Sequence, residues 1–272
     1  LTLPESVGLT TDLRDVEQAE VVIISIGSQS LRALLAEEPM QALRNKTVVL
    51  CMKGLEMGTG ERLSVIAGEL LHPSCTVAVW LGPGHVQEFY RGIPNCMVID
   101  SENEQVKRRL VQAFSSDLIR FYYGGDMIGN EVGAAAKNVV GIAAGFLDGV
   151  EMSSLKGALM SRGTREVARL IRAMGGNELS AYGLCHLGDY EATVFSPYSH
   201  NRQFGESFIR HQDYHRLAEG YYTVEALMVL SERYQVELPI CKAVHAILYE
   251  NADPREQLTD LLRRGLRAEF DD

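Results

Sequence analysis

An α/β half followed by an all-helical half is the fold class this 272-residue chain predicts, and three observations predict it. Short β-branched runs alternate with helical or glycine-turn stretches up to about residue 125. From Asp126 onward the pattern changes to long helical stretches. The composition, 46% hydrophobic and 23% charged, is the balance of a globular chain with a sizeable core.

The opening residues LTLPESVGLTTDLRD read as a connection leading into a strand. Strands are expected at Val21 to Ile26 (VVIISI), Thr47 to Met52 (TVVLCM), Thr76 to Leu81 (TVAVWL) and Cys96 to Ile99 (CMVI). Each precedes a helical stretch or a glycine turn, the alternation of a parallel sheet with crossover helices. Leu118 to Tyr123 (LIRFYY) reads as a further strand before the Gly124-Gly125 turn. Helices are then expected over 127–149, 153–174, 221–235, 239–249 and 254–268, with irregular structure between about 183 and 205. The chain therefore divides into 1–125 and 126–272. Ligands of open parallel sheets sit at the carboxyl ends of the strands, and clefts between domains are favoured sites.

A net charge of −10 argues against nucleic acid or an anionic membrane as the main partner, while leaving room for a small anion in a locally basic pocket. Cys51, Cys75, Cys96, Cys185 and Cys241 form an odd set without CxxC spacing and read as reduced thiols. The apolar helix around Lys137 carries Glu131 and Lys137 within the length a membrane span would need, and no signal peptide is read. Cytoplasmic residence without membrane insertion is the expectation. The start at Leu1 rather than Met suggests a fragment.

The most informative segment is GNEVGAAAKNVVGIAAGFLDG, Gly129 to Gly149. Gly129, Gly133, Gly141 and Gly145 fall at four-residue spacings with Lys137 in the middle place, so they trace one ridge of the helix. Each interior glycine costs roughly 1 kcal/mol against alanine, which suggests that another backbone or a ligand approaches that ridge. A lysine beside that space is partly desolvated, and desolvation with a neighbouring cation lowers its pKa toward that of a proton carrier. The alternative is tight helix packing with Lys137 snorkelling to water. Glycine-ridged helices also leave a homodimer open.

Lys53 follows the second strand in CMKGLE, at the edge where functional groups collect, or is plain surface charge. LGPGH, Leu81 to His85, frees backbone N–H groups to approach an anion, or only makes a turn. HLGDYEATVFSPYSHNRQFG, His186 to Gly205, offers Asp189, Thr193, Ser199, His200, Asn201 and Arg202. Its carboxylate suits an ammonium and its donors suit a phosphate, or the segment is a well-bonded connector. The histidines lack metal-ligand spacing, and no metal is expected.

Taken in order, these segments resemble the NAD(P)-dependent glycerol-3-phosphate dehydrogenases of the bacterial type. VVIISIGSQSLR is similar to that family's strand and Pro-Ser-Gln turn, with Gly27 in place of proline. CMKGLE is similar to its Lys-Gly motif, LGPGHVQEFYRGIP to its Gly-Pro-Ser segment, and the Gly129–Gly149 run to its Leu-Lys-Asn helix. GDYEATVFSPYSHNRQFG resembles the Gly-Asp segment ending in Arg-Asn-Arg, and LAEGYYT the Val-Glu-Gly motif. The resemblance implies a truncated Rossmann-like domain over 1–125 and a helical substrate-binding and catalytic domain over 126–272. It implies NAD or NADP as cofactor and a small phosphorylated three-carbon substrate, with glycerol 3-phosphate supplied to phospholipid synthesis.

Carried over residue by residue, the general acid/base falls on Lys137, a second lysine touching substrate and cofactor on Lys53, and the orienting aspartate on Asp189. Substrate contacts fall on Gly82, Gly84, Thr193, Ser199, His200, Asn201 and Arg202, besides Lys53, Lys137 and Asp189. Cofactor contacts fall on Ser28, Gln29, Lys53, Val86, His200, Leu217 and Glu219. Gly84 and Val86 replace a serine and an alanine, and His200 stands where the family has its phosphate-gripping arginine. A neutral imidazole offers one donor instead of a cationic fork, so either Arg202 compensates or the substrate differs. The family's opening GxGxxG turn does not occur in this sequence, and the parent protein is expected to have it. Two other readings follow from these departures: a dehydrogenase of a non-phosphorylated hydroxy acid, and a non-catalytic ligand-binding or dimerisation module.

Overall fold

The computed structural model describes residues 3–263. Five strands lie side by side in chain order: β1 (Val21–Ile24), β2 (Thr47–Leu50), β3 (Thr76–Leu81), β4 (Asn95–Asp100) and β5 (Ile119–Tyr123). Their helices are α1 (Leu31–Ala36), α2 (Glu38–Gln41), α3 (Leu63–Leu70), α4 (Val86–Tyr90) and α5 (Glu104–Phe114). β2 reads TVVL because both its faces are covered. Val48 and Leu50 pack with Leu31, Leu35 and Ile66, while Val49 joins Leu110, Val111 and Phe121 on the other side.

The sheet departs from the all-parallel expectation at one place. β1, β2 and β3 are parallel, as are β4 and β5, but β3 and β4 are antiparallel, with Leu81 opposite Val98. The cause is the connection. The five-residue α4 is about 8 Å long, too short to carry the chain back along a six-residue strand of about 20 Å, so β4 returns alongside β3 instead.

The second half is built around α6 (Met127–Gly149), surrounded by α7 (Lys156–Ala173), α8 (His200–Ile209), α9 (Glu219–Tyr234), α10 (Pro239–Tyr249) and α11 (Pro254–Arg263). α6 is buried on nearly every side, which its glycine- and alanine-rich surface permits. It gives Met127 and Ala134 to the core under the sheet, and Val139, Ile142 and Phe146 to the helical core. One rigid rod thus carries Lys137 from one half toward the other. Leu55, from the loop after β2, is also in the helical core and pins that loop.

What approaches the glycine ridge is the chain's own 180–206 segment. A Cβ on Gly145 would stand 2.1 Å from the Arg202 carbonyl oxygen, and one on Gly141 2.8 Å from Thr193 Cγ2. One on Gly133 would meet the His186 Cβ at 3.1 Å. The ridge is therefore consumed within the protein and offers nothing to a second copy.

The segment from 183 to 205 is more regular than its sequence pattern indicates. It contains a 3₁₀ turn at Leu187–Asp189, a π turn at Glu191–Phe195 and the start of α8 at His200. Turns this short carry no 3.6-residue apolar repeat to detect. The helix expected over 254–268 is seen as Pro254–Arg263, and 264–268 lie outside the described residues. The five cysteines are free thiols, and no helix among the described residues is long and apolar enough to cross a membrane.

Candidate active site

The carboxyl ends of β2 and β3 meet the middle of α6 at one buried carboxylate. Lys53, three residues beyond β2, places its Nζ 2.8 Å from Asp189 Oδ2 and 2.5 Å from the carbonyl oxygen of Gly82. Lys137 reaches the same Asp189 oxygen from α6 at 2.9 Å and donates to Thr193 Oγ1 at 2.8 Å. The Thr193 hydroxyl in turn donates to the Asp189 carbonyl at 2.6 Å. Gly82 has φ +119°, a left-handed conformation that aims its carbonyl at Lys53, and a Cβ there would press on the Met97 backbone at 3.1 Å.

An ammonium has three N–H groups, and these contacts use two on each lysine. Each keeps one for a further acceptor. The Asp189 side chain is 1% exposed, that of Lys137 9% and that of Lys53 22%, so the free donors face a space open chiefly from the Lys53 side. Burial, reinforced by the charge of Lys53 and opposed by Asp189, lowers the Lys137 pKa to about 8. Burial alone would raise Asp189, but its two ammonium partners outweigh that and hold its carboxyl below the usual range.

The supports of this cluster are buried hydrogen bonds. His186, fully buried and pushed down to about 4 by burial, is neutral: its Nδ1–H donates to the Gly133 carbonyl and its Nε2 accepts from Tyr190. This bond clips the Asp189 turn onto α6 one helical turn before Lys137. Asn138 donates to the Lys53 carbonyl at 2.8 Å and accepts from Asn201 at 3.0 Å, while Asn201 accepts from the Gly220 N–H at 2.9 Å. Asn138 was missed as a site residue on sequence, although it directly follows Lys137.

Not every expected residue joins the cluster. Arg202 turns its guanidinium to Asp148 at 2.8 Å and Glu206 at 3.0 Å. Asp148 lies eleven residues beyond Lys137 on α6, about 16 Å along the axis, so Arg202 does not stand in for the missing arginine. Ser199 caps α8, accepting from the Arg202 N–H. Glu219 accepts from the Ser28 backbone N–H at 2.9 Å and from its hydroxyl, and Gln29 braces the turn by donating to the Leu55 carbonyl at 2.8 Å. Val86 and Leu217 leave apolar surface exposed near the ends of β3 and β1, and Leu217 flanks Gly27. His200 is exposed, with Nδ1 bonded to the Tyr214 hydroxyl at 2.8 Å. Among the described residues no metal-binding group of three or more ligands is present.

Comparison with known proteins decides the family. The profile for the NAD-dependent glycerol-3-phosphate dehydrogenase N-terminus matches residues 1–107 and that for its C-terminus residues 126–259. The chain belongs to the NAD-dependent glycerol-3-phosphate dehydrogenase family. A family member from Thermotoga sp. (strain RQ2), named glycerol-3-phosphate dehydrogenase [NAD(P)+], is 33% identical over 97% of this chain and 83% of its own length. A Streptomyces griseus protein of the same name is 35% identical over 99% of this chain and 83% of its length. The crystal structure of glycerol-3-phosphate dehydrogenase from Coxiella burnetii superposes with a TM-score of 0.89 at 28% identity, covering 96% of this chain and 82% of that one. The likeness to D-mandelate dehydrogenase, at a TM-score of 0.58 and 13% identity, is one of fold alone.

Proposed function

We propose that this protein catalyses reversible hydride transfer between NAD(P)H and C2 of dihydroxyacetone phosphate, giving sn-glycerol 3-phosphate. The observation that carries this is two ammonium groups on one buried carboxylate oxygen, each with an N–H to spare, at the sheet's carboxyl edge. The residues present fit the reacting end of a dinucleotide, since Leu217 supplies exposed apolar surface beside the Gly27 turn and Val86 supplies more just after β3. When bound, the cofactor supplies the hydride.

The protein's part is orientation, electrostatics and a proton. Lys53 and Lys137 direct their remaining N–H groups at the substrate carbonyl oxygen, where negative charge grows during reduction. Lys137 then donates its proton to that oxygen, and in the reverse direction takes it back. Asp189 holds both amines at the required spacing and keeps Lys137 protonated near neutral pH. Thr193 fixes the Lys137 head group. The unpaired thiols and the family's cofactor support a reducing, cytoplasmic setting.

The test is NADH oxidation by the complete protein with dihydroxyacetone phosphate, against a hydroxy-acid precursor such as a 2-oxo acid. Turnover of the phosphorylated ketone with little of the 2-oxo acid is expected. The opposite preference would reject the substrate, and turnover of neither would reject the reaction.

A further inference from the structure

The resemblance implies an arginine at position 200, where this chain has a histidine, and Arg202 is committed to Asp148 and Glu206. A phosphate bound beside Asn201 therefore needs its cation from another element. The loop preceding α9 provides one. Its Tyr214 is bonded to His200, and three residues later the Leu217 side chain lies against the Gly27 turn, so the loop crosses the rim of the site between these two anchors. Arg216 lies between them. It is exposed and forms no ion pair among the described residues, in a chain where Arg202, Arg210 and Arg233 are all paired with glutamates.

We propose that Arg216 supplies the cation that binds the anionic end of the substrate, replacing the charge absent from position 200. His200 then serves as a neutral partner. With the Tyr214 O–H donating to Nδ1, the ring proton sits on Nε2 and is free to donate to a phosphate oxygen. Burial, then the nearby charges of Arg216 and His85, pushes the His200 pKa below its ordinary value, consistent with a neutral ring and with Arg216 within electrostatic reach. The position is also tied to the reacting cluster. His200 adjoins Asn201, whose amide bonds to Asn138, the neighbour of Lys137. The anion is thus read by a loop arginine plus an imidazole donor, with no guanidinium at position 200.

This inference rests on the reaction proposed above, and the experiment separates the two. Steady-state kinetics of the complete protein are measured with dihydroxyacetone phosphate and with unphosphorylated dihydroxyacetone, for the parent, Arg216→Ala and Arg216→Lys. A lost charge-assisted contact is expected to raise KM for the phosphorylated substrate roughly 10- to 100-fold in Arg216→Ala. Arg216→Lys should recover part of that loss, and kcat/KM for dihydroxyacetone should stay within about twofold of the parent because that substrate has no anion to bind. Inhibition by inorganic phosphate should weaken by the same factor as the KM rise. An unchanged KM in Arg216→Ala, or an equal loss with both substrates, overturns the assignment. Failure of the parent itself to reduce dihydroxyacetone phosphate refutes the reaction, and weakening of inorganic phosphate binding by Arg216→Ala, measured by calorimetry, then decides the role of Arg216 separately.

Discussion

Two charge clusters hang on the same helix, and they are built alike. In the middle of α6, Lys137 shares one oxygen of Asp189 with Lys53. At its end, Asp148 shares one oxygen between Lys156, at 2.7 Å, and Arg202, at 2.8 Å. Both carboxyls are held below their usual range, because ion pairing outweighs the opposing effect of burial in each. The difference is in balance. At the helix end Glu206 also pairs with Arg202, so among the mostly buried side chains two cations meet two anions, Arg210 pairing with Glu206 from a 48% exposed position, and Ser153 adds a hydrogen bond. In the middle two cations meet one carboxylate, in a more deeply buried place, and one of them loses proton affinity. Neutral closure is what a structural cluster achieves. An excess buried cation has a cost that folding alone does not repay, and this marks the middle cluster as the working one.

The same substitution made in each cluster should have opposite effects. Lys137→Met is expected to lower kcat by about 10²- to 10⁴-fold, the range for loss of a positioned proton donor. Its urea midpoint should not fall, because the methionine fills the space while removing the uncompensated charge. Lys156→Met should do the reverse. It leaves kcat within about twofold and costs about 2 kcal/mol of stability, since it opens a partly buried ion pair whose Lys156 and Asp148 side chains are 10% and 14% exposed. Urea unfolding followed by circular dichroism, alongside steady-state kinetics, measures both. If both variants lost stability and activity together, the distinction drawn from charge balance would collapse.

The sequence shows much of this arrangement and hides a definite part. The strand runs and α6 were legible because β-branched residues and the glycine spacing are local signals. Lys53, Lys137 and Asp189 were legible as three candidates, each beside a strand end, a ridge or a turn. That they meet at one oxygen depends on the β2 loop being pinned by Leu55 and on His186 clipping its turn to Gly133. Those are long-range contacts with no local pattern. The antiparallel β4 was hidden because α4 resembles any short helix until its length is set against the strand. Arg202 misled for a similar reason: it adjoins Asn201 in sequence, but on α8 its side chain points to the Asp148 end. Arg216 was invisible because a loop arginine means nothing until Tyr214 and Leu217 are seen to anchor that loop.

The smallest expected effect is the most diagnostic of which group carries the kinetic titration. Lys137 carries its proton below about pH 8 and loses it above, against an ordinary value of 10.5. For ketone reduction, which needs the ammonium, kcat should be level below that point and fall tenfold per pH unit above it; the reverse oxidation should rise toward the same point and then level off. Stability carries the same signature with a defined sign. A lysine whose pKa is lower folded than unfolded destabilises the fold fully below about pH 8, and this penalty is relieved as pH rises toward 10.5, where the unfolded chain also loses its proton. The stability of the parent relative to Lys137→Met should therefore increase by roughly 1 kcal/mol per pH unit across that window. A kinetic midpoint near 8 without the matching stability change would assign the titration to another group.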